Sequence, residues 1–167
     1  MKKLLLLFLS LTAAWTACAP RTQVKKPPLE PTPAEEEAAA QELDIRGTEF
    51  VSTPELATIY FEFDQFDLTP QARTALAKNA EILKRSQKLE ILTEGHCDEK
   101  GTVEYNLALG QKRAKTVRDY YRRLGIKPSR IATLSYGEEK PACTEPTEEC
   151  WIKNRRVETK VRSKNQE

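Results

Sequence analysis

One loop and the helix predicted after it carry the residues with the most evident chemistry. Asp98 lies in the loop between Gly95 and Gly101, and Asn106 and Arg113 lie seven residues apart on the helix. That spacing is about two helical turns, so both side chains project from nearly the same face. A carboxylate and a guanidinium that open on one pocket suit a zwitterion, since Asp98 accepts from an ammonium and Arg113 binds a carboxylate. The alternative is a solvated surface ion pair, which contributes about 0 to 1 kcal/mol.

The pattern around this loop predicts an α/β domain over residues 58–162. Apolar residues alternate with polar ones in the first segment, which is the period of a strand, and Thr69-Pro70 is typical of a helix start. The predicted strands are 58–63, 88–95, 130–135 and 156–162, and the predicted helices are 70–85 and 102–124. Their order, β-α-β-α-β-β, predicts an α+β two-layer sandwich.

Residues 1–17 have the features of an export signal. Lys2 and Lys3 precede an apolar run of about eleven residues, which is too short for a membrane span of about 20 residues. The run ends in Trp15-Thr16-Ala17-Cys18, which resembles a bacterial lipobox with Trp15 at a position where leucine is preferred. We therefore expect cleavage before Cys18 and lipidation of Cys18. An ordinary secretory signal is the alternative.

The segment 18–57 is rich in proline and glutamate and has few large apolar residues to bury. This composition predicts a flexible tether between the lipidated cysteine and the domain. Residues 163–167 are predicted to be a short C-terminal tail. More than one acyl chain on Cys18 would hold the protein durably on a membrane. The residue after it, Ala19, is not the aspartate that retains lipoproteins in the inner membrane, so by resemblance we expect outer-membrane anchoring, with the domain in the periplasm.

The run GHCDEKGTVEYNLALGQKRA, residues 95–114, closely resembles the peptidoglycan-binding motif of OmpA-like domains. YFEFDQFDL before it and SYGEEKPA and NRRVE after it agree in order, so the resemblance covers about residues 59–161. It implies an OmpA-like domain with helices packed on a mixed four-stranded sheet. In that family the matching aspartate and arginine hold the ammonium and carboxylate of diaminopimelate in the peptidoglycan stem peptide. The resemblance thus assigns these two roles to Asp98 and Arg113, in non-covalent binding.

The resemblance also implies roles for residues around this pair. Phe63 and Asp64 would form part of the pocket wall, Asn106 would orient the loop and Leu109 would line the site. The run Asn154-Arg155-Arg156 matches too, and we expect it to brace the last strand rather than to contact the ligand.

The resemblance to OmpA-like domains also implies that the protein ties the outer membrane to the cell wall. The resemblance implies partnership with the Tol system, notably its periplasmic propeller protein TolB, during envelope constriction at cell division. A wall-anchoring lipoprotein of the same family without a Tol connection is the alternative.

Three cysteines remain besides Cys18. Cys143 and Cys150 flank a polar segment, and an oxidising periplasm would favour a disulfide between them; two free thiols are the alternative. Cys97 is then left over. We expect it to be a partly buried side chain beside the binding loop, with a regulatory or intermolecular thiol as the alternative.

Other functional classes are weakly supported. His96 is the single histidine, and His96, Cys97 and Asp98 are adjacent residues, which on an extended strand point to opposite faces and seldom share one ion. We therefore predict no metal, no other cofactor and no catalytic residue. The alternative is a wall hydrolase or a metalloenzyme.

The formal net charge of +2 on 167 residues gives no reason to expect nucleic-acid binding. A basic cluster on the second helix is interpreted as a solvated face; it comprises Lys112, Arg113, Lys115, Arg118, Arg122 and Arg123.

Overall fold

The structure, a computed structural model, describes residue 45 and residues 49–163. The predicted export signal, Cys18 and most of the tether lie outside the described residues, as do residues 164–167. The strands are β1 Val51–Ser52, β2 Ile59–Tyr60, β3 Leu89–His96, β4 Ile131–Gly137 and β5 Arg156–Ser163. The helices are α1 Pro70–Arg85, α2 Val103–Arg123 and α3 Glu148–Asn154, with a 3-10 turn at Pro128–Arg130.

The five strands form one mixed sheet. Its order is β1-β5-β3-β4, and β2 pairs with β5 as well, further along the same strand. β3 and β4 are parallel and are joined through α2, whereas β3 and β5 are antiparallel. This mixed sheet with helices packed on it confirms the predicted fold class. In the described part of the chain the sheet has five strands rather than the four expected, because β1 adds a short pair at the edge.

Both long helices begin after a capping threonine, as Thr69-Pro70 predicts for α1. Thr69 Oγ1 accepts a hydrogen bond from the Ala72 amide at 3.1 Å, and Thr102 Oγ1 accepts one from the Tyr105 amide at 3.2 Å. Each cap satisfies an amide that has no partner inside the helix. The helices and the sheet then bury apolar side chains against each other, each stabilising the fold by about 1.5–3 kcal/mol. The fully buried core members include Leu76, Leu83, Ile91, Val117, Tyr121, Ile131 and Val157.

Packed structure begins before residue 58, where we expected the tether to end. Phe50 and Leu56 are each only 8% exposed, and Leu56 belongs to the main core. The Asn79 side chain on α1 also binds this segment, since it accepts from the Ala57 amide at 2.8 Å and donates to the Ala57 carbonyl at 2.9 Å. The two apolar residues and the amide pair therefore hold residues 50–57 on the domain.

Helix α2 lies directly against β3 near the end of that strand. A Cβ atom added at Gly95 would be 1.9 Å from the Gly110 carbonyl oxygen, so the two backbones approach too closely for a side chain. This contact sets the position of α2 relative to the loop that leaves β3. Among the described residues, no helix has the length and apolar content needed to cross a membrane.

Candidate ligand-binding pocket

All six residues predicted to bind the ligand line one pocket at the end of β3. The pocket opens to solvent, and its empty volume, which includes part of that open solvent, is about 240 Å³. The predicted residues that line it are Phe63, Asp64, Asp98, Asn106, Leu109 and Arg113, and Cys97, Lys100, Tyr105 and Arg155 join them. Three parts of the chain therefore meet here: the turn after β2, the β3–α2 loop with the first half of α2, and the residue between α3 and β5.

Asp98 is buried and held by two donors. It is 4% exposed. Its Oδ1 accepts from the Lys100 amide at 3.1 Å, and its Oδ2 accepts from Arg155 Nη1 at 3.0 Å. The carboxylate is thus fixed in direction before any ligand arrives.

Arg113 is fully buried and binds three backbone carbonyls. Its Nε donates to the Gln65 oxygen at 2.8 Å, Nη1 to the His96 oxygen at 3.0 Å and Nη2 to the Glu62 oxygen at 3.1 Å. Burial lowers the pKa of Arg113, while Cys97 and then Asp98 act in the opposite direction. The idea of a solvated Asp98–Arg113 surface pair is wrong, because both side chains are buried and each has other partners.

Asn106 ties the binding loop together from the helix. Its Nδ2 lies 3.2 Å from the Asp98 carbonyl and 3.2 Å from the Lys100 carbonyl, and it also contacts the Glu138 carboxylate. The position agrees with a loop-orienting residue. Gly101 completes this loop with φ of +116°, a conformation that a side chain would strain.

The outer wall comes from the turn after β2. Asp64 has φ of +57°, a left-handed conformation that is uncommon outside glycine and that redirects the chain here. The Tyr105 hydroxyl donates to the Asp64 carboxylate, and this hydrogen bond raises the pKa of Tyr105. Phe63 is 54% exposed at the rim, whereas Leu109 is 7% exposed at the inner wall.

Sequence reasoning missed Lys100, Tyr105 and Arg155 as pocket residues. Tyr105 could have been found, because it lies one helical turn before Leu109 on the face that carries Arg113. Lys100 belongs to the loop already singled out. Arg155 lies 57 residues from Asp98, and no local pattern connects the two.

The run Asn154-Arg155-Arg156 divides between two roles. The Asn154 side chain accepts from the Ala142 amide at 2.8 Å and donates to the Cys143 carbonyl at 2.7 Å. Arg156 Nε donates to Glu158 at 2.7 Å on the same strand. Arg156 therefore braces the last strand, Asn154 holds the segment at residues 142–143 instead, and Arg155 lines the pocket.

A histidine and two glutamates gather beside the sheet, outside the pocket lining. The ligand atoms of Glu94, His96 and Glu158 lie within 4.8 Å of one another, which would suit a metal ion. Both carboxylates, however, already have cations: Lys160 Nζ lies 2.7 Å from Glu94, and Arg156 Nε lies 2.7 Å from Glu158. Burial, followed by the charge of Arg156, lowers the pKa of His96 to about 4. The cluster is therefore an ion-pair network around a neutral histidine.

The structure describes one free cysteine and one disulfide. Cys97 is 2% exposed, its Sγ donates to the Asn106 carbonyl at 3.3 Å, and burial raises the pKa of its thiol to about 11. The thiol is therefore protonated at neutral pH. Cys143 and Cys150 are joined by a disulfide, with their Cα atoms 5.2 Å apart. The segment after Cys143, which the sequence suggested is a polar loop, contains the short helix α3.

The chain belongs to the OmpA family, which its residues 60–155, more than half of the chain, match. Its relatives include the peptidoglycan-associated lipoprotein of Pseudomonas aeruginosa, which is 48% identical over 105 residues. That alignment covers 63% of this chain and 62% of the relative. The protein of the same name from Brucella melitensis is 43% identical over 101 residues, which is 60% of each chain. This chain thus spans about three-fifths of the length of these relatives.

Solved structures give the same grouping. The crystal structure of the peptidoglycan-associated lipoprotein from Burkholderia pseudomallei is 39% identical, with a TM-score of 0.61, and the match covers 63% of this chain and 89% of that chain. The C-terminal domain of Helicobacter pylori MotB is 21% identical, with a TM-score of 0.61 over 64% of this chain and 84% of that chain. At that identity the second likeness concerns the fold alone.

Proposed function

We propose that this domain binds peptidoglycan non-covalently, through the diaminopimelate of the stem peptide, and that a lipid on Cys18 ties the outer membrane to the wall. The observation that carries the proposal is the convergence of Asp98 and Arg113 on one pocket. Both are buried there and held by hydrogen bonds. The relatives named peptidoglycan-associated lipoprotein support the ligand class.

Asp98 and Arg113 can each form further hydrogen bonds with a ligand. Each oxygen of a carboxylate has two acceptor positions, and each oxygen of Asp98 has one protein donor, from Lys100 or Arg155. Asp98 can therefore still accept from an ammonium. Arg113 donates its Nε to a carbonyl, and its Nη1 donates to the His96 oxygen and, at 3.6 Å, to Cys97 Sγ. Its Nη2 carries two hydrogens and donates one of them to the Glu62 oxygen. A ligand carboxylate would meet the remaining Nη2 hydrogen in a fixed position, so the side chain would lose little conformational freedom on binding.

The charge of the pocket also suits an acid-bearing peptide. Its lining holds the cations Lys100, Arg113 and Arg155 against the carboxylates Asp64 and Asp98. The excess of one cation would favour a ligand that brings more carboxylate than ammonium, as a stem peptide does. Electrostatic complementarity of this kind mainly improves specificity and the rate of association.

We propose a binding role rather than an enzymatic one. Nucleophilic catalysis needs a nucleophile within reach of a base. The pocket's Cys97 is a protonated thiol that donates to a carbonyl. His96, the single histidine, stacks on Tyr136 at 5.6 Å and is not among the residues that line the pocket. The Tyr105 hydroxyl does donate to the Asp64 carboxylate in the pocket, but this hydrogen bond raises the pKa of Tyr105 and so disfavours the phenolate.

We further propose TolB as a protein partner, with wall tethering contributing to envelope constriction at cell division. Affinity purification of the lipidated protein from membranes tests this step. Recovery of TolB supports it. Recovery of wall fragments without TolB would instead favour an anchor outside the Tol system.

Co-sedimentation with purified peptidoglycan tests the binding site. We expect Asp98→Asn and Arg113→Lys each to weaken binding by about tenfold or more, because each leaves a ligand charge poorly paired. Lysine keeps the charge of Arg113 but loses the planar fork. It is preferable to Arg113→Ala, which would also release the carbonyls of Glu62 and Gln65.

The matched control is Glu81→Gln, which removes an exposed carboxylate on α1. It should sediment like the wild-type protein. Circular dichroism should show that all variants are folded. If both site variants sediment like the control, the assignment of this pocket is wrong.

A further inference from the structure

Helix α3 contacts the binding loop through a tryptophan. Trp151 Nε1 donates to Glu99 Oε1 at 3.1 Å, and Lys100 Nζ lies 3.7 Å from the centroid of the same ring. Glu99 and Lys100 directly follow Asp98. A cation over an indole face contributes about 0.5–1 kcal/mol at an exposed site, so these contacts favour one position of the loop.

A chain of charges runs from the same helix into the pocket. Arg155 donates through Nη2 to Glu148 Oε1 at 2.7 Å and through Nη1 to Asp98 Oδ2 at 3.0 Å. The hydrogen bond from Arg155 lowers the pKa of Glu148, so Glu148 is ionised at neutral pH. The Arg155 side chain is 4% exposed and lies between these two carboxylates. The direction of Asp98 therefore depends on where α3 holds Glu148.

Helix α3 is short, and two cross-links hold it. It has seven residues, which is too few to be stable alone. The Cys143–Cys150 disulfide joins its first turn to the preceding segment, and Cys150 is 1% exposed. At its other end, Asn154 binds the backbone of Ala142 and Cys143 at 2.7–3.1 Å. Both ends of the helix are thus tied to Cys143, and the second end is tied to Ala142 as well.

We propose that the disulfide-closed helix α3 is a positioning element of the ligand site, and that it sets the affinity through Glu148, Arg155 and Asp98. The inference rests on the proposed function, because it concerns the same pocket. Glu148 acts on the ligand through Arg155 and Asp98, because it holds Arg155 in the position that fixes the direction in which the Asp98 carboxylate faces an incoming ammonium. Without the disulfide, α3 can move or fray. Glu148 then no longer holds Arg155 in place, and Arg155 can move away from Asp98.

The test compares binding of the full chain, in detergent micelles, to purified diaminopimelate-containing peptidoglycan. Glu148→Gln keeps the disulfide and the shape of the helix but weakens the hydrogen bond to Arg155, together with the ion pair between Glu148 and Lys100 Nζ at 3.7 Å. We expect it to bind about tenfold more weakly, the fold-change for loss of one charged hydrogen bond. Glu149→Gln is the matched control, since it removes the neighbouring exposed carboxylate, and it should bind like the wild-type protein. Glu148→Asp, which keeps the charge, should recover part of the affinity.

Cys143→Ser/Cys150→Ser tests the disulfide itself, whose presence in the wild-type protein is checked by a mass lower by two hydrogens under non-reducing conditions. We expect weaker binding and a shift of the Trp151 emission to longer wavelength. The Trp151 signal is isolated by subtracting the spectrum of Trp151→Phe. Should this double variant fail to fold, the Glu148 comparison decides alone.

The proposal is overturned if Glu148→Gln and Glu149→Gln bind equally well, or if the folded double serine variant keeps wild-type affinity and emission. A different result would show that the proposed function itself is wrong. In that case Asp98→Asn would bind peptidoglycan as tightly as the wild-type protein does.

Discussion

His96 is buried without charge among ionised neighbours. Its ring stacks on Tyr136, its Nε2 lies 4.0 Å from Glu94, and Arg156, Glu158 and Lys160 all influence its pKa. Burial and the nearby Arg156 lower this pKa from 6.5 to about 4. In the unfolded chain the imidazole takes up a proton below about pH 6.5, whereas in the folded protein it does so only near pH 4.

His96 should therefore make the protein less stable in acid. Its contribution is fully present above about pH 6.5 and is lost as the pH falls toward 4, because only the unfolded state gains a proton in that window. The loss amounts to about 3 kcal/mol. We expect the free energy of unfolding of His96→Gln, measured in urea at pH 7, 6, 5 and 4.5, to fall less steeply than that of the wild-type protein. Parallel pH dependences of the two proteins would contradict this prediction, because the carboxylates titrate in both.

How far the site could be predicted differs from residue to residue. Helical spacing placed Asn106 and Arg113 on one face, and the structure puts both at the pocket. The burial of Arg113 and its three carbonyl partners could not be predicted, since Glu62, Gln65 and His96 reach it only through the tertiary fold. The type and local spacing of a residue can be read from the sequence, but its contacts with residues of distant segments cannot.

At the scale of elements, the helices were easier to predict than the short strands. α1 has the predicted bounds, because Thr69 and Pro70 begin it and a regular apolar stripe follows. The first predicted strand, 58–63, pairs only at Ile59–Tyr60. Beyond it the backbone still donates from the Phe61 amide to the Arg155 carbonyl at 2.9 Å, and then turns at Asp64. The alternation of apolar and polar residues predicts which residues of a strand are buried. The number of residues that form strand pairs depends on the partner strand.

The contact between β3 and α2 predicts an asymmetry between two glycines. A Cβ at Gly95 would lie 1.9 Å from the Gly110 carbonyl oxygen, which is backbone and cannot rotate away. A Cβ at Gly110 would lie 2.3 Å from Ser135 Oγ, the end of a side chain that can rotate, and 3.1 Å from the Gly95 oxygen. We expect Gly95→Ala to lower the free energy of unfolding by about 3 kcal/mol or more. Gly110→Ala should cost less, because alanine also favours the helix by about 1 kcal/mol.

Chemical denaturation of both variants measures this asymmetry. Ser135→Ala in the Gly110→Ala background serves as the control, since it removes the atom that the new methyl group would meet. That double variant should recover part of the lost stability. Equal destabilisation by the two glycine substitutions would mean that α2 can move away from β3. Since α2 carries Asn106 and Arg113, Gly95→Ala should also weaken peptidoglycan binding.

At the scale of the whole molecule, the proposed function requires two attachments on one chain. The predicted lipid on Cys18 binds the membrane, and the pocket binds the wall. Because packed structure begins by Phe50, about 31 residues are left for the predicted tether. If they behave as a flexible coil, their r.m.s. reach is about 30 Å, and full extension gives about 105 Å. Two linked attachments of this kind can hold far more strongly than either does alone.

Separating the two attachments gives the last prediction. We expect Cys18→Ser to release the protein from membranes, because the acyl chains supply that binding, while its co-sedimentation with purified peptidoglycan stays unchanged. Asp98→Asn should behave in the opposite way and remain with the membrane while it loses the wall. The double variant should be recovered in the soluble periplasmic fraction. Fractionation of cells into membrane, wall and soluble material measures all three, with Glu81→Gln, which changes an exposed residue of α1, as the control. If Cys18→Ser stays in the membrane fraction of wall-free preparations, the anchor lies elsewhere in the chain; if it also loses the wall, the two attachments are not independent.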